Sequence, residues 1–313
     1  MLITQVTEGR IPFNIPSVSE ECFTFYKVIG DLASTDKTPL ICLHGGPGAG
    51  HEYLLCFGKL WFERKIPVIF YDQVGCASST HLRNTKGNES LWQEGLFIDE
   101  LWNVINFFKL ERYYLLGHSW GGALAAALAG TRPCGLQGLV LCGALADVEL
   151  QNKVSHTLED ELPSNFRDVI VKHDENQEYD KEEYEAAVEY FMKKHAYRDE
   201  PYPGEDLGYA IANFAEDDTV TETMLGPQFS TITGSLRDWT ITARLPNIEV
   251  PVLLINGEFD YAAVEPYFTG LKKVRWVTIM GASHMCFLEN AGRTKVSELV
   301  GTFLEDKQTL SAE

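Results

Sequence analysis

The sequence predicts an α/β protein: a mostly parallel central sheet with helices on both faces and an inserted helical cap. Three observations carry this. Short apolar runs alternate with helix-period segments through the first half of the chain, the pattern of a parallel sheet covered on both sides. From about residue 147 to residue 239 that rhythm gives way to charged, helix-period sequence poor in strand patterns. At Pro251 strand and helix alternation resumes. The expected layout is a core of residues 1–146 and 240–313 with a cap of residues 147–239 between its halves. A cap over the carboxyl ends of the strands closes a pocket and selects what enters it.

The elements follow in order. Strands are expected near Phe23–Ile29, Leu40–Leu43, Val68–Tyr71, Tyr113–Leu116 and Leu139–Cys142, with helices near Leu96–Phe108 and Trp120–Gly130. In the cap, Asp180 to His195 is the clearest helix, acidic at its start and basic at its end as the helix dipole prefers. The run from Pro251 to Asn256 reads as a buried parallel strand and Val274–Ile279 as the last strand. There is no repeat, low-complexity tract or long Gly/Ser linker.

The loops after four of these strands carry chemistry. Gly117-His118-Ser119-Trp120-Gly121-Gly122 lies between an apolar run and an Ala-rich run, which is strand, sharp turn and helix with a serine at the apex. It fits the G-x-S-x-G nucleophile elbow, whose glycines let strand and helix approach closely. His44-Gly45-Gly46-Pro47-Gly48 follows an earlier strand. Acyl transfer needs backbone N–H donors aimed at a developing oxyanion. Gly46 and Trp120 are assigned as those donors, with Gly45 as the fallback. Asp260 follows the strand that ends at Asn256 and is placed to orient an imidazole, while Asp147 and, less favourably, Asp238 are rivals by position. Of the eight histidines only His284 follows a late strand. The order Ser119, Asp260, His284 is that of a hydrolase elbow fold.

Composition narrows the partners. The net charge of −19 disfavours nucleic acid and anionic membrane surfaces and weakly favours approach of cationic substrates. No apolar stretch is long enough to span a bilayer. Residues Met1 to Arg10 lack the basic and long apolar parts of a secretion signal. The seven cysteines are odd in number and irregular in spacing, which reads as reduced thiols of a cytoplasmic protein rather than a disulfide frame or a metal site. No metal, cofactor or obligatory protein partner is expected.

With these residues in view, the chain resembles the proline iminopeptidase family of α/β-hydrolases. The resemblance rests on His44 to Gly48, on Asp72-Gln73-Val74-Gly75-Cys76-Ala77-Ser78 and on Gly117 to Gly122, and it covers about residues 20 to 305. In the cap, Met224 to Pro227 and Thr231 to Trp239 are similar to the tricorn-interacting aminopeptidase branch. The resemblance implies a metal-free serine hydrolase that releases an N-terminal residue, often proline, from short peptides, or cleaves amino-acid amides. It implies Ser119 as nucleophile, His284 as proton shuttle, Asp260 as its orienting acid, and Gly46 and Trp120 at the oxyanion. The family binds the substrate's free amine through acidic residues near the catalytic Asp and in the cap. Here Tyr261 stands where the family often has Glu, Glu216 looks like the surviving cap glutamate, and Gly75-Cys76-Ala77-Ser78 replaces the more usual Gly-x-Gly-x-Ser.

Gly45, Glu216, Tyr261 and Trp239 are therefore the expected substrate contacts, and Trp120, Phe229, Tyr209 and Phe214 are further candidates to line the pocket. The competing reading is a hydrolase of a non-peptide ester, lactone or amide. A non-catalytic ligand receptor on the same scaffold is a third, opposed by the complete Ser119, Asp260 and His284 set. An elbow carrying serine excludes an aspartate-nucleophile dehalogenase or epoxide hydrolase.

Overall fold

A computed structural model of the chain describes residues 6–33 and 35–310. Met1 to Gln5, on which the reading of the N-terminus partly rests, lie outside the described residues. The sheet has eight strands: β1 (Val6–Phe13), β2 (Cys22–Ile29), β3 (Leu40–Leu43), β4 (Val68–Asp72), β5 (Tyr113–His118), β6 (Leu136–Cys142), β7 (Val252–Gly257) and β8 (Val274–Ile279). Their spatial order is β1-β2-β4-β3-β5-β6-β7-β8. β1 and β2 pair antiparallel at one edge, and every pair from β4 to β8 is parallel. The expected α/β class and mostly parallel sheet are what the chain forms. β1 is an addition to the sequence reading. As an edge strand it buries little besides Ile11 and Phe13, so its Thr-Glu-Gly-Arg stretch carries no apolar signal.

The parallel strands are apolar on both faces because both faces are covered. On β5, Tyr113 and Leu115 enter one core layer while Tyr114 and Leu116 enter the other. Helix α1 (Lys59–Arg64) is short, and α2 (Glu94–Phe107) precedes β5. Helix α3 (Trp120–Ala129) is buried along its whole length, and its small side chains let it lie close to the sheet.

Between β6 and β7 the chain forms α4 (Val148–Asp160), α5 (Ser164–Asn176), α6 (Glu182–His195), α7 (Glu205–Glu216) and α8 (Thr219–Leu225), with no strand among the described residues. The insertion leaves and rejoins the core at one neck. Asp147 pairs with Thr240 in an isolated bridge, Val148 N–H donates to the Trp239 carbonyl, and Ile241 N–H donates to that of Ala146. Part of this segment has its own small apolar cluster around Leu162, Ile170, Tyr184 and Phe191. Helices α9 (Glu265–Gly270) and α10 (Arg293–Leu310) complete the core.

The strand order explains where the site forms. From β3 the chain moves outward to β4, then returns to the other side of β3 as β5. The loops that follow β3 and β5 therefore open beside each other at a switch point, where parallel sheets hold their ligands.

Candidate active site

Ser119 sits between β5 and α3 with φ +53° and ψ −123°, outside the ordinary regions for a residue with a side chain. The glycines around it permit this turn. A Cβ on Gly117 would stand 2.2 Å from the Gly121 carbonyl oxygen, and one on Gly121 would stand 2.2 Å from that of Leu43. The second contact also presses the elbow against the end of β3, which carries the His44 to Gly48 loop. Trp120 is the first residue of α3, where a backbone N–H has no partner within the helix.

Asp260 and His284, on the loops after β7 and β8, are in contact. His284 Nδ1–H donates to Asp260 Oδ1 at 2.8 Å, which leaves Nε2 as the ring nitrogen not engaged by Asp260. Asp260 Oδ1 also accepts the Ala262 N–H at 2.8 Å, which fixes the carboxylate. The rivals are occupied elsewhere. Asp147 caps α4 by accepting the Leu150 N–H, and the Asp238 side chain is exposed beside Arg237. Ser119, Gly46, Tyr261 and His284 line one cavity of about 270 Å³, which the cap covers with residues of α4, α6, α8 and the segment after α8. A larger groove of about 510 Å³ between β8 and α10 holds none of the candidate residues.

The two candidate oxyanion glycines are differently engaged. Gly45 N–H donates to Tyr53 Oη at 2.6 Å, so it is not available to a ligand. Gly46 lines the cavity with φ +106°, and a Cβ there would fall 2.5 Å from Gly48 N. The expectation that Gly45 contacts substrate is thus corrected: its amide is spent on a buried relay. Tyr53 Oη–H donates in turn to His118 Nδ1 at 2.9 Å, and His118 Nε2–H donates to the His284 carbonyl at 3.3 Å. Burial, and next the neighbouring His284, hold His118 well below the usual imidazole range, so it stays neutral and can both accept and donate. The relay joins the glycine loop, the elbow and the His284 loop.

Three further residues support the site. Gly143, just after β6, has φ +52°, and a Cβ there would come within 2.8 Å of His284 Nδ1 and 2.9 Å of Asp260 Oδ2. Gln73 accepts the Trp120 indole N–H and donates to the His44 carbonyl. His195, at the end of α6, donates from Nδ1 to the Phe259 carbonyl, while its own carbonyl accepts the His284 N–H. The end of α6 thereby touches both the Asp260 and the His284 loops. Gln73 belongs to the Asp72 to Ser78 motif, Gly143 carried the weaker signal of a glycine directly after a strand end, and His195 carried none.

The substrate contacts expected from the cap divide. Tyr261 and Phe229 line the cavity, and the Tyr261 ring lies 4.4 Å from that of His284. Glu216 does not reach it. Its side chain is 62% exposed and pairs with Arg83 at 3.4 Å. Phe214, packed against the Gly46 to Gly48 loop, shows why. Glu216 lies two residues further on, about 200° round α7. Trp239 is also displaced from the cavity, with its indole N–H on Glu94 and its ring against Trp120. Tyr209 is exposed on the outer side. Among the described residues one group has metal-ligand types close together, His51, Glu52 and Asp72. There His51 Nδ1 and its backbone N–H both donate to Asp72, a fully buried carboxylate that holds the start of the helical turn Glu52–Gly58.

Comparison with known proteins agrees with this geometry. The family model for the alpha/beta hydrolase fold matches residues 38–291. This chain belongs to the α/β-hydrolase family. It is a serine hydrolase homologous to proline iminopeptidases. It is 36% identical to the proline iminopeptidase of Thermoplasma volcanium over 287 residues, covering 90% of this chain and 93% of that protein. Among solved structures it is similar to VinJ, at TM-score 0.89 and 36% identity over 96% of this chain and 98% of the other. The proline iminopeptidase of Mycobacterium smegmatis follows at TM-score 0.87 and 32% identity, covering 98% and 100%. Among the described residues, no helix is long and apolar enough to cross a membrane.

Proposed function

We propose that this chain hydrolyses the acyl bond of a small substrate through Ser119, with His284 as general base and acid and Asp260 as its orienting partner. The observation that carries this is the Asp260–His284 hydrogen bond beside Ser119 in one cap-covered cavity. Ser119 Oγ attacks the carbonyl carbon as His284 Nε2 takes its proton. The N–H groups of Gly46 and Trp120 stabilise the oxyanion. Collapse expels the leaving amine or alcohol, which takes the proton from His284, and water then releases the acyl group by the same steps.

Kinship supports release of an N-terminal residue of the proline type from short peptides, or hydrolysis of amino-acid amides; the odd number and irregular spacing of the cysteines support the cytoplasm as its compartment. A second reading is hydrolysis of a non-peptide ester, lactone or amide. It is favoured by Tyr261 on the cavity wall directly after Asp260, where an amine-binding carboxylate would otherwise stand. The test is a panel of aminoacyl arylamides against short acyl esters with N-blocked controls, run on wild type and Ser119→Ala. Turnover that survives in Ser119→Ala would reject the mechanism.

A further inference from the structure

The cavity wall holds no compensating charge for a cationic substrate. Among the described residues that line it, none is Asp, Glu, Lys or Arg. Apart from His284, its polar groups are amides and hydroxyls that carry no charge, and several are already engaged in holding the cap. Gln151 donates to the Tyr261 carbonyl and accepts the Ala263 N–H. Asn152 Oδ1 accepts the Ile232 N–H, and Thr221 Oγ1–H donates to the Pro47 carbonyl. Much of the remaining wall is apolar: Leu145, Met192, Leu225, Phe229, Ile232 and the Tyr261 ring.

The carboxylates near this wall are occupied or shut away. Glu159 is buried behind Ser230, accepts its hydroxyl hydrogen and lies 3.5 Å from His156 Nδ1. Asp260 has a fully buried side chain and serves His284. Glu216 faces solvent.

From this lining we infer that the acyl pocket is built for an uncharged, mainly apolar acyl group and not for one bearing a free ammonium. An ammonium entering this cavity would lose its water without gaining an anionic partner, a loss that disfavours the charged form strongly. A neutral group of the same shape has no such cost and gains by covering apolar surface. The volume of about 270 Å³ limits the group to a short chain or a small ring. The inference rests on the acyl-hydrolase reading and, within it, selects the second reading over release of a residue with a free amine.

The test compares three amides of one fluorogenic arylamine that differ at a single ring position. Prolyl places nitrogen there, tetrahydrofuran-2-carbonyl places oxygen, and cyclopentanecarbonyl places carbon. At about pH 6.5 an α-amine is charged. The ranking is read as kcat/KM and, independently, as protection of Ser119 from a fluorophosphonate probe. Both neutral amides are expected to exceed the prolyl amide about tenfold or more by either measure. A prolyl amide that equals or exceeds both overturns the inference while Ser119 labelling upholds the hydrolase reading. Failure of the probe to label Ser119 at all overturns the hydrolase reading, and this inference with it. Phe229→Glu places a carboxylate in the wall and is expected to move the ranking toward the prolyl amide, whereas Phe229→Gln is not. A folded Phe229→Glu protein with an unchanged ranking would show that the wall charge does not set selectivity and would also overturn the inference.

Discussion

On the core side of the cavity, each candidate chemical group stands on a loop at the carboxyl end of a strand. Gly46 follows β3, Ser119 follows β5, Asp260 follows β7 and His284 follows β8. On the cap side, the wall comes from faces of α4, α6 and α8 and from the segment after α8, held by side-chain contacts over long sequence separations. Gln151 reaches Tyr261 across 110 residues and Thr221 reaches Pro47 across 174. The core side is set by backbone geometry, in which small departures are costly. The cap side is set by packing, which tolerates change in the residues facing the ligand. On the proposed mechanism, one side would hold the reaction and the other would decide what undergoes it.

The largest expected effect lies on the core side. Ser119→Ala should lower kcat roughly a thousandfold or more while leaving the thermal transition near its wild-type position, because the nucleophile works as a unit with its base. His284→Ala should act similarly, and Asp260→Asn equally or more mildly. Steady-state kinetics on the best substrate, paired with a melting curve, measures both. A near-normal kcat in Ser119→Ala would dissolve the division between the two sides.

Gly143→Ala sharpens it, since this residue supplies no reacting group although it lines the cavity. Its new methyl would press on His284 and Asp260 at a backbone angle that disfavours a side chain. A displacement on the order of 1 Å costs about a hundredfold in rate. The expected result is a fall in kcat of that order with KM little changed, and an unaltered kcat would show that the pair tolerates displacement.

A smaller effect concerns the base of the core side. Glu100 is buried and accepts the Thr24 hydroxyl hydrogen and the Val74 N–H, and burial raises its carboxyl to about 8. The group is then protonated in the folded chain over a range where the unfolded chain has lost that proton. Folding stability from this group is present at low pH and declines as pH rises from about 4.5 towards 8. Melting temperatures of Glu100→Gln should fall less over that range than those of wild type. Parallel pH profiles would contradict the raised carboxyl.

The smallest effect is expected on the cap's outer face. Glu216→Gln should leave the ratio of free-amine to N-blocked substrates unchanged, because the side chain faces solvent beside Arg83. A ratio that shifts severalfold in this variant would return Glu216 to the pocket.

Contiguous residues carried most of the core. Strand and helix periods placed seven of the eight strands, because buried parallel strands are apolar on both faces and short. The polar edge strand β1 lacks that signature. The elbow was legible because its turn demands glycines at fixed offsets around Ser119. Asp260 and His284 were legible because each follows a strand in a set chain order. Gly45 and Gly46 were not separable in sequence, since both sit in one loop and only the Tyr53 hydroxyl distinguishes them.

The sequence by itself determined the fold class, because a parallel sheet covered on both faces is written as local periods, and it proposed the reactive groups and the cap from local turn requirements and from a break in that rhythm. Only the tertiary structure decided which cap residues face the cavity. That choice depends on how α7 is rotated against the Gly46 to Gly48 loop, on Arg83 meeting Glu216 across 133 residues, and on Ser230 engaging Glu159 across 71. A side chain's direction on a helix follows from the whole surface it packs against, so the neutral wall around Tyr261 and Phe229 became visible only once the chain had closed on itself.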